Sequence, residues 1–371
     1  FTKDELEKMK DEKYADWIYI DGEVKFIHSF LKNIIKVNTD LKNRVVDSDD
    51  NKDSQLVGKT IDEIIENGEK KYFIHLKTGI RLKKEQAKVG EKVRVHIPIP
   101  RNAQQIKNIK IHSTSHKPKF ISPENHLQRT IYFEEKVQGE EIFTVEYSYE
   151  NHIKYNVLDP KKVSNIQPTF YTEEWLPHIR FTPILKELAK EIIGQETNPL
   201  IKARKIYDYI TKNIQYSFMP QYATITNIPE YCASNLKGDC GVQALLFITL
   251  CRIVNIPARW QSGLYSSPYY LGCHDWAEFY IEPYGWLFAD PSHGGGALRN
   301  RDKKRWNFFF GNLDPFRMVA NSEVNYDFTP MKNHYRYDPF DNQVGEIEYE
   351  DRFLSEHEYE TILEPIEIKE L

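Results

Sequence analysis

The segment from Lys237 to Val254, KGDCGVQALLFITLCRIV, is the feature that most constrains how this chain can fold. From Cys240 onward it is apolar on nearly every helical face, and a helix without a polar face has to be buried on all sides. Its longest apolar stretch, Ala244–Leu250, is much shorter than the about 20 apolar residues of a membrane span, so we expect no membrane crossing. The 371 residues are enough to enclose such a helix in a sizeable core, and their number favours two or three domains.

The composition is that of a folded protein without a strong charge bias. Hydrophobic residues make up 40% and aromatic residues 13% of the chain, which argues against disorder. The 50 basic and 55 acidic residues leave a net charge of −5, so no basic excess can neutralise phosphates and no nucleic-acid partner is expected. Four cysteines are too few for a disulfide scaffold, which slightly favours a cytoplasmic location. Export with a removed signal peptide is the alternative.

The first 85 residues mix helical and polar patterns. Glu23–Val37 carries apolar residues at helical spacing. The polar run Val45–Gln55 is typical of an exposed loop, and Thr60 is placed to cap a short helix after it. We therefore predict a mixed helical N-terminal region over residues 1–85.

Between residues 86 and 165 the apolar period changes to two. Apolar residues alternate through Lys92–Pro98 and again through Glu141–Glu150, with weaker strand candidates between them. Short strands separated by Pro, Asn and Gly turns are typical of a β-sandwich. This pattern predicts a β-sandwich-like module over residues 86–165, to which we assign no chemistry.

The remaining residues divide at about position 330. Residues 166–330 begin with two helix starts, Thr182-Pro183 and Asn198-Pro199, continue through the apolar helix and end in strand-like segments. The stretch Asp341–Leu371 contains eleven acids and two bases. We expect residues 331–371 to form an acidic, solvated C-terminal segment, with an inhibitory or docking role as the alternative.

Cys240 stands where a nucleophilic thiol would be placed. Gly238-Asp239 ends a loop and the apolar helix begins at Cys240. The attacking species is the thiolate, and the positive end of a helix dipole is expected to lower the pKa of the thiol. The backbone N–H of Cys240 has no intrahelical partner there, so it can donate to an oxyanion.

A histidine and an aspartate downstream complete a candidate triad. His274 precedes a strand-like segment, Trp276–Ile281, and a short turn leads to a second one, Gly285–Ala289, followed by Asp290. Two antiparallel neighbours of this kind bring Asp290 back beside His274 and hold both on rigid elements. Asp275 is also a carboxylate, but as the next residue along the strand its side chain should point to the other face.

These residues carry a resemblance to a known family. Leu236–Trp260, with GDCG and NIPAR, and His274–Ser292, with HDWAEFYI, PYGW and ADPS, resemble the core of the transglutaminase-like superfamily, including its bacterial members. The resemblance covers about Ile179–Ala320 and leaves out the first 85 residues and the acidic segment. It implies an α+β fold with a papain-like transglutaminase core, in which the cysteine-bearing helix packs on an antiparallel sheet.

The resemblance also implies roles for individual residues. Cys240 would be the nucleophile, His274 the general base and then acid, and Asp290 the carboxylate that orients the imidazole. The family's chemistry is thiolate attack on an amide carbonyl and a thioester intermediate, completed by water or by an amine. Further candidates are an oxyanion donor and two residues of a substrate groove: Tyr216, Trp276 and Tyr265.

Several alternatives remain open at this stage. Hydrolysis of amide bonds in a peptide or protein substrate is the expected reaction, with protein-glutamine transamidation (cross-linking) as the second. The alternative from another class is a catalytically silent scaffold that binds peptide or glycan. No cofactor and no metal are expected. A zinc site that uses all four cysteines is excluded, because Cys240 and Cys251 lie about 16 Å apart along one helix. Gly294–Gly296 is expected to form a mobile loop over the site.

Overall fold

The structure is a computed structural model with a mixed α and β architecture. It describes residues 2–12, 14–15, 17–27, 30–37, 41, 44, 49–217, 219–336 and 340–371. The helices are α1 (Lys3–Asp11), α2 (Phe30–Val37), α3 (Asp49–Asn67), α4 (Pro183–Ile193), α5 (Pro199–Asn213), α6 (Ile228–Asn235), α7 (Cys240–Ile253), α8 (Pro291–Arg299) and α9 (Lys303–Phe308).

Seventeen strands within these residues form five sheets. They are β1 (Trp17–Ile20), β2 (Glu23–Phe26), β3 (Glu69–Leu82), β4 (Lys92–Pro98), β5 (Ile106–Thr114), β6 (Phe120–Ile121), β7 (Thr130–Lys136), β8 (Ile142–Lys154), β9 (Gln215–Tyr216), β10 (Lys237–Gly238), β11 (Ala258–Ser266), β12 (Leu271–Ile281), β13 (Gly285–Ala289), β14 (Phe310–Gly311), β15 (Arg317–Asn321), β16 (Glu346–Tyr349) and β17 (Tyr359–Glu370).

Helix α7 and one antiparallel sheet form the centre of the molecule. The sheet has the strand order β14-β13-β12-β11-β15, and α7 packs across β12 and β11. Residues 241–252 of α7 are all buried, and the ring of Phe247 lies 5.6 Å from that of Phe279 on β12. The predicted burial of this helix, packed on an antiparallel sheet, is confirmed.

The predicted helix starts are also present. The side chain of Thr182 accepts a hydrogen bond from the backbone N–H of Leu185 at the start of α4. Asn198 accepts from two backbone N–H groups at the start of α5. Each side chain satisfies amide groups that the first helical turn leaves without an intrahelical partner.

A module of two further sheets shares one hydrophobic cluster with this core. The sheets have the orders β16-β4-β7-β6 and β17-β3-β8-β5. Strand β4 has the bounds that the alternating pattern predicts, Lys92–Pro98, and its Val93, Val95 and Ile97 are fully buried. Apolar side chains of β8 on the facing sheet, such as Phe143 and Val145, are equally buried.

The sequence-based boundaries of this module are too narrow. Strand β3 comes from residues 1–85, and β16 and β17 come from residues 331–371, so the sheets draw on three of the four predicted regions. Strand β17 pairs with Tyr72–Leu82 of β3, and Lys70 and Lys77 of β3 form ion pairs with Glu370 and Glu364. The acidic strand is held by backbone pairing and by the lysines of β3. The prediction that residues 331–371 form only a solvated surface is therefore wrong, most plainly for β16, which is buried throughout.

The N-terminal region also differs from the prediction. The helical pattern of Glu23–Val37 is divided between β2 and α2. Positions 45–48 of the polar run lie outside the described residues, but the rest belongs to α3 rather than to a loop, so Thr60 lies inside a helix. The apolar side of α3 packs against β3, and this tertiary contact outweighs the polar start of the helix. Within the described residues no helix has the length and apolarity needed to cross a membrane.

Candidate active site

Cys240 occupies the first position of α7. Asp239 caps the helix, because its carboxylate accepts a hydrogen bond from the backbone N–H of Val242 at 3.1 Å. A side chain at Gly241 would come within 2.4 Å of the Tyr222 hydroxyl and 2.8 Å of Asp275 Oδ2. Glycine after the cysteine is thus required by the close approach of two polar groups to the start of the helix.

His274 and Asp290 meet across the hairpin of β12 and β13. The antiparallel pairing runs from Ile281–Gly285 to Ala277–Ala289 and leaves His274 Nε2 2.8 Å from Asp290 Oδ2. Asp290 is also the N-cap of α8, where its second oxygen accepts from the backbone N–H of His293. The aspartate is held from two sides, so the orientation of the imidazole is set by rigid elements.

Arg317 joins this pair to a second aspartate. Its guanidinium forms a 2.9 Å ion pair with Asp290 Oδ2 and hydrogen bonds with both carboxylate oxygens of Asp314. All three side chains are completely buried. The ring of His293 lies 4.5 Å from that of His274, centroid to centroid. Sequence reasoning missed Arg317 and His293, since neither belongs to a motif of the thiol chemistry.

The geometry around Asp290 does not suit a divalent cation. His274, Asp290 and His293 place one possible ligand atom each within 4.8 Å of the others. However, Asp290 Oδ2 already pairs with Arg317, and a fully buried guanidinium beside the same oxygen would repel a metal ion strongly in this low-dielectric surrounding. The cluster is better suited to holding an imidazole than a metal.

Burial sets the charge state of the two histidines. Burial lowers the pKa of His274 below its usual value, although Asp290 acts in the opposite direction. Burial likewise lowers the pKa of His293 to about 3. Burial alone would raise the pKa of Asp290, but His293, His274 and Arg317 outweigh it and hold that pKa well below its usual range. At neutral pH the site therefore contains a neutral imidazole beside an ionised carboxylate.

The Cys240 thiol contacts Asp275 rather than the imidazole. Its Sγ donates to Asp275 Oδ2 at 3.2 Å. His274 and Asp275 are consecutive on β12, so their side chains point to opposite faces of the sheet, and the face of Asp275 is the one that α7 covers. Sequence reasoning anticipated the opposite direction of Asp275 but not that the thiol lies on that side.

The predicted lowering of the thiol pKa is wrong for this arrangement. Burial raises the pKa of Cys240 well above its usual value, and the neighbouring carboxylates of Asp275 and Asp239 raise it further. These effects exceed the attraction of the helix N-terminus for a negative charge, which is typically below about 2 kcal/mol. The resting state is a thiol with a neutral imidazole, not a thiolate with an imidazolium.

Tyr216 lies beside the thiol, as its position upstream of the cysteine suggests. It belongs to β9, which pairs in parallel with β10, so that Tyr216 is the partner of Gly238, two residues before Cys240. Burial raises the pKa of Tyr216 well above its usual value, with the charges of Cys240 and Asp239 adding to the effect. Its hydroxyl is therefore protonated and able to donate.

The two residues predicted to form a substrate groove have structural contacts instead. Trp276 is fully buried, and its indole N–H donates to Gln261 Oε1 at 2.8 Å. Tyr265 is 4% exposed, and its hydroxyl lies 3.1 Å from both carboxylate oxygens of Asp53 on α3. Both predictions are wrong because the β-module and α3 cover this face of the sheet.

The predicted mobile loop at Gly294–Gly296 is wrong as well. These glycines belong to helix α8. A side chain at Gly294 would come within 1.7 Å of the Tyr207 hydroxyl, which explains the absence of one there.

The C-terminal segment reaches the thiol side of the sheet. Gln343 donates through its Nε2 to Asp275 Oδ1 and, at 3.3 Å, to the backbone oxygen of His274. Phe340 packs edge-on against the rings of Trp260 and Tyr222, at 5.0 and 5.1 Å. Nothing in the local sequence pattern signals this contact, because it joins positions almost 70 residues apart.

Comparison with known proteins agrees with this geometry. Residues 186–291 match the family model for the transglutaminase-like superfamily. These residues are similar to the core of that superfamily. The matched segment begins in α4 and ends at the start of α8, so it contains Cys240, His274 and Asp290.

Individual relatives are distant. An uncharacterized protein of Haemophilus influenzae is 27% identical over 211 residues, which is 47% of this chain and 56% of that protein, so the chain spans little more than half of its relative's length. The structure of a Cytophaga hutchinsonii protein, described provisionally as a cysteine protease, has a TM-score of 0.53 and 14% identity over 82% of this chain and 91% of that one. The periplasmic domain of TgpA from Pseudomonas aeruginosa has a TM-score of 0.34 and 14% identity, over 67% of this chain and 95% of that one. The Cytophaga protein shares the fold, and the predicted papain-like transglutaminase core is confirmed.

Proposed function

We propose that the chain is a thiol-dependent acyl-transfer enzyme that hydrolyses amide bonds in peptides or proteins. One observation carries this proposal. A buried, hydrogen-bonded His274–Asp290 pair stands on the strand whose next residue contacts the thiol of Cys240 at the start of α7. A nucleophile, a base and an acid that orients the base are the parts that such chemistry needs.

The neutral His274 acts as the general base. Because its Nε2 is bound to Asp290, Nδ1 is the nitrogen of His274 that takes the thiol proton. In the structure the thiol contacts Asp275 instead, so this step requires a rearrangement that brings the start of α7 and the imidazole to the same side of β12. The thiolate attacks the amide carbonyl, the amine leaves with the proton from the imidazolium, and a thioester remains on Cys240. Water, deprotonated by His274, then releases the carboxylic acid and restores the thiol.

Two donors support the oxyanion of the tetrahedral intermediate. The backbone N–H of Cys240 lies in the first turn of α7, where it has no intrahelical acceptor. We assign the second donor to the hydroxyl of Tyr216, whose strand β9 pairs with β10 immediately before Cys240. The hydroxyl of Tyr222 is less suitable, since it donates to the capping carboxylate of Asp239.

The reaction can be tested with two cysteine variants. We expect Cys240→Ala to lose cleavage by a factor on the order of 10⁶ in kcat, the loss found when a triad nucleophile is removed. Cys273→Ala, which removes an exposed cysteine next to His274, should cleave like the wild type. The substrate is a proteome-derived peptide library, with cleavage products identified by mass spectrometry.

The same assay separates water from amine as the acyl acceptor. A dansylated primary amine is added to a second sample, and peptides that carry the dansyl group reveal transamidation. Products with new free carboxyl groups and no dansyl label support hydrolysis, for which the provisional description of the Cytophaga protein is an independent indication. Equal activity in Cys240→Ala and wild type would contradict the enzyme proposal and favour a binding scaffold.

The pH dependence of cleavage should follow the lowered pKa of His274. The base must be neutral, so kcat/KM falls as the pH drops through the His274 pKa, and burial places that midpoint below the usual value of about 6.5. A peptide identified in the library provides the substrate for the pH profile. An acid limb centred above pH 6.5 would contradict this assignment of the base.

A further inference from the structure

The carboxylate of Asp275 is held between the nucleophile and the C-terminal segment. One oxygen, Oδ2, accepts from the Cys240 thiol at 3.2 Å, and the other, Oδ1, accepts from Gln343 Nε2. The side chain is buried against the start of α7, where Gly241 leaves room for it. The mechanism proposed above gives Asp275 no role, although this group is the one that contacts the sulfur.

Residues 340–345 are anchored on the same face of the sheet. Ser262 lies on β11 as the cross-strand partner of Asp275, and its hydroxyl donates to Asp341. One residue further, Asn321 Nδ2 donates to the backbone oxygen of Asn342 at 2.8 Å. Gln343 is thus placed by its neighbours, and its amide reaches Asp275 from a fixed backbone.

We propose that Asp275 is a positioning residue that keeps the Cys240 thiol protonated and held on the α7 side of β12, and that Gln343 fixes Asp275 in this position. The inference rests on the proposed function, since it concerns control of the same nucleophile. Displacement of residues 340–345 would release Asp275, remove its contact with the sulfur and let the thiol ionise more readily. The C-terminal segment thereby controls when the nucleophile is available.

The other groups that face the thiol do not take this role. Asp239 lies on the same helix start, where the Val242 N–H and the Tyr222 hydroxyl already donate to it. Burial raises the pKa values of Tyr216 and Tyr222 well above the usual range, so both are neutral. Asp275 is consequently the carboxylate whose contact with sulfur opposes thiolate formation, in agreement with the raised pKa of Cys240.

The experiment measures the rate of iodoacetamide alkylation at Cys240 against pH, with each cysteine mapped by mass spectrometry. A like charge in contact shifts a pKa by about one to three units, so the midpoint in Asp275→Asn should fall by about that amount. Gln343→Ala should shift the midpoint in the same direction by less, because Asp275 remains but loses its fixed position. Asp341→Asn is the matched control. It removes a buried negative charge two residues from Gln343 but keeps a side-chain oxygen that accepts from Ser262, so the anchor of Gln343 is preserved and the midpoint should equal that of the wild type.

The proposal is overturned if Asp275→Asn, shown to be folded by circular dichroism, has the wild-type midpoint, or if Asp341→Asn shifts the midpoint equally. If Asp275→Asn does not fold, Gln343→Ala decides, and a wild-type midpoint in that variant overturns the proposal. Failure of the proposed function looks different: His274→Ala would then cleave the peptide library like the wild type, whatever the alkylation midpoints are.

Discussion

Replacing Asp290 with asparagine is expected to lower kcat for peptide cleavage by about 10⁴-fold, the loss typical of this change in a triad. Asparagine keeps the size of the side chain and can still cap α8. However, its amide group would donate to His274 Nε2 and leave the proton on Nδ1, the nitrogen that has to accept the thiol proton. The measurement is kcat and KM with a peptide from the library, and KM should change little because Asp290 is buried away from the substrate.

Ser292→Ala is the matched control for this prediction. The Ser292 hydroxyl donates to Asp290 Oδ1 at 2.9 Å, on the side of the carboxylate that faces away from His274. Its removal leaves the charge and the imidazole contact in place, so kcat should stay close to wild type. A loss in Ser292→Ala as large as that in Asp290→Asn would mean that packing around α8, rather than the orientation of His274, limits the reaction.

The second large effect is expected for stability. Arg317→Met should lower the free energy of unfolding by about 3–5 kcal/mol, the range for breaking a buried ion pair by removing one partner. The reason is that Asp290 and Asp314 would remain buried without a positive partner, while both are completely inaccessible now. Urea denaturation followed by tryptophan fluorescence measures the change at neutral pH.

The effect of pH on this loss has a defined sign. Burial would raise the pKa of Asp314, but Arg317 outweighs it and lowers that pKa, and the pKa of Asp290 is lowered as well. A carboxylate with a lowered folded-state pKa contributes stability above its unfolded value of about 3.9, and this stability is lost as the pH falls through the folded value. The difference between wild type and Arg317→Met should therefore be largest above pH of about 4 and shrink below it.

Arg81→Met serves as the control for Arg317→Met. The Arg81 side chain is 40% exposed and forms a 3.0 Å ion pair with Glu140. Exposed pairs of this kind contribute about 0–1 kcal/mol, so the variant should be nearly as stable as the wild type. Similar losses in the two variants would show that Arg317 is not the partner that the buried carboxylates depend on.

Local sequence patterns predicted the elements that form the candidate site. The apolar run after Asp239 predicted a buried helix starting at Cys240, and the structure has it. The hairpin of β12 and β13 brought His274 and Asp290 together because only 16 positions separate them, and a tight antiparallel turn leaves few other arrangements. The alternation of apolar and polar residues also predicted strand β4. Each of these features depends on residues close in sequence.

Contacts between segments that are far apart in the chain could not be predicted from local sequence patterns. The acids of β17 have the pattern of a solvated tail, and only the pairing with the lysines of β3 makes them part of a sheet. The sequence predicted that Tyr265 lines a substrate groove, but in the structure its hydroxyl donates to Asp53 on α3. Arg317 carries no motif, yet its burial between two aspartates makes it necessary for the site.

By itself, the sequence determined the helix that bears the thiol, the strand pair that joins His274 to Asp290, and the likeness of residues 186–291 to the transglutaminase-like superfamily. Hydrophobic periodicity, helix capping and turn formation depend on residues that are close together in the sequence, so a local pattern is enough to predict them. Tertiary structure alone decided that α7 covers the face of Asp275, that Gln343 reaches that carboxylate, and that the thiol rests there in its protonated state. Those outcomes depend on how the helices pack on the sheet and on which charged side chains become buried next to each other. Such contacts form only between segments that are far apart in the chain.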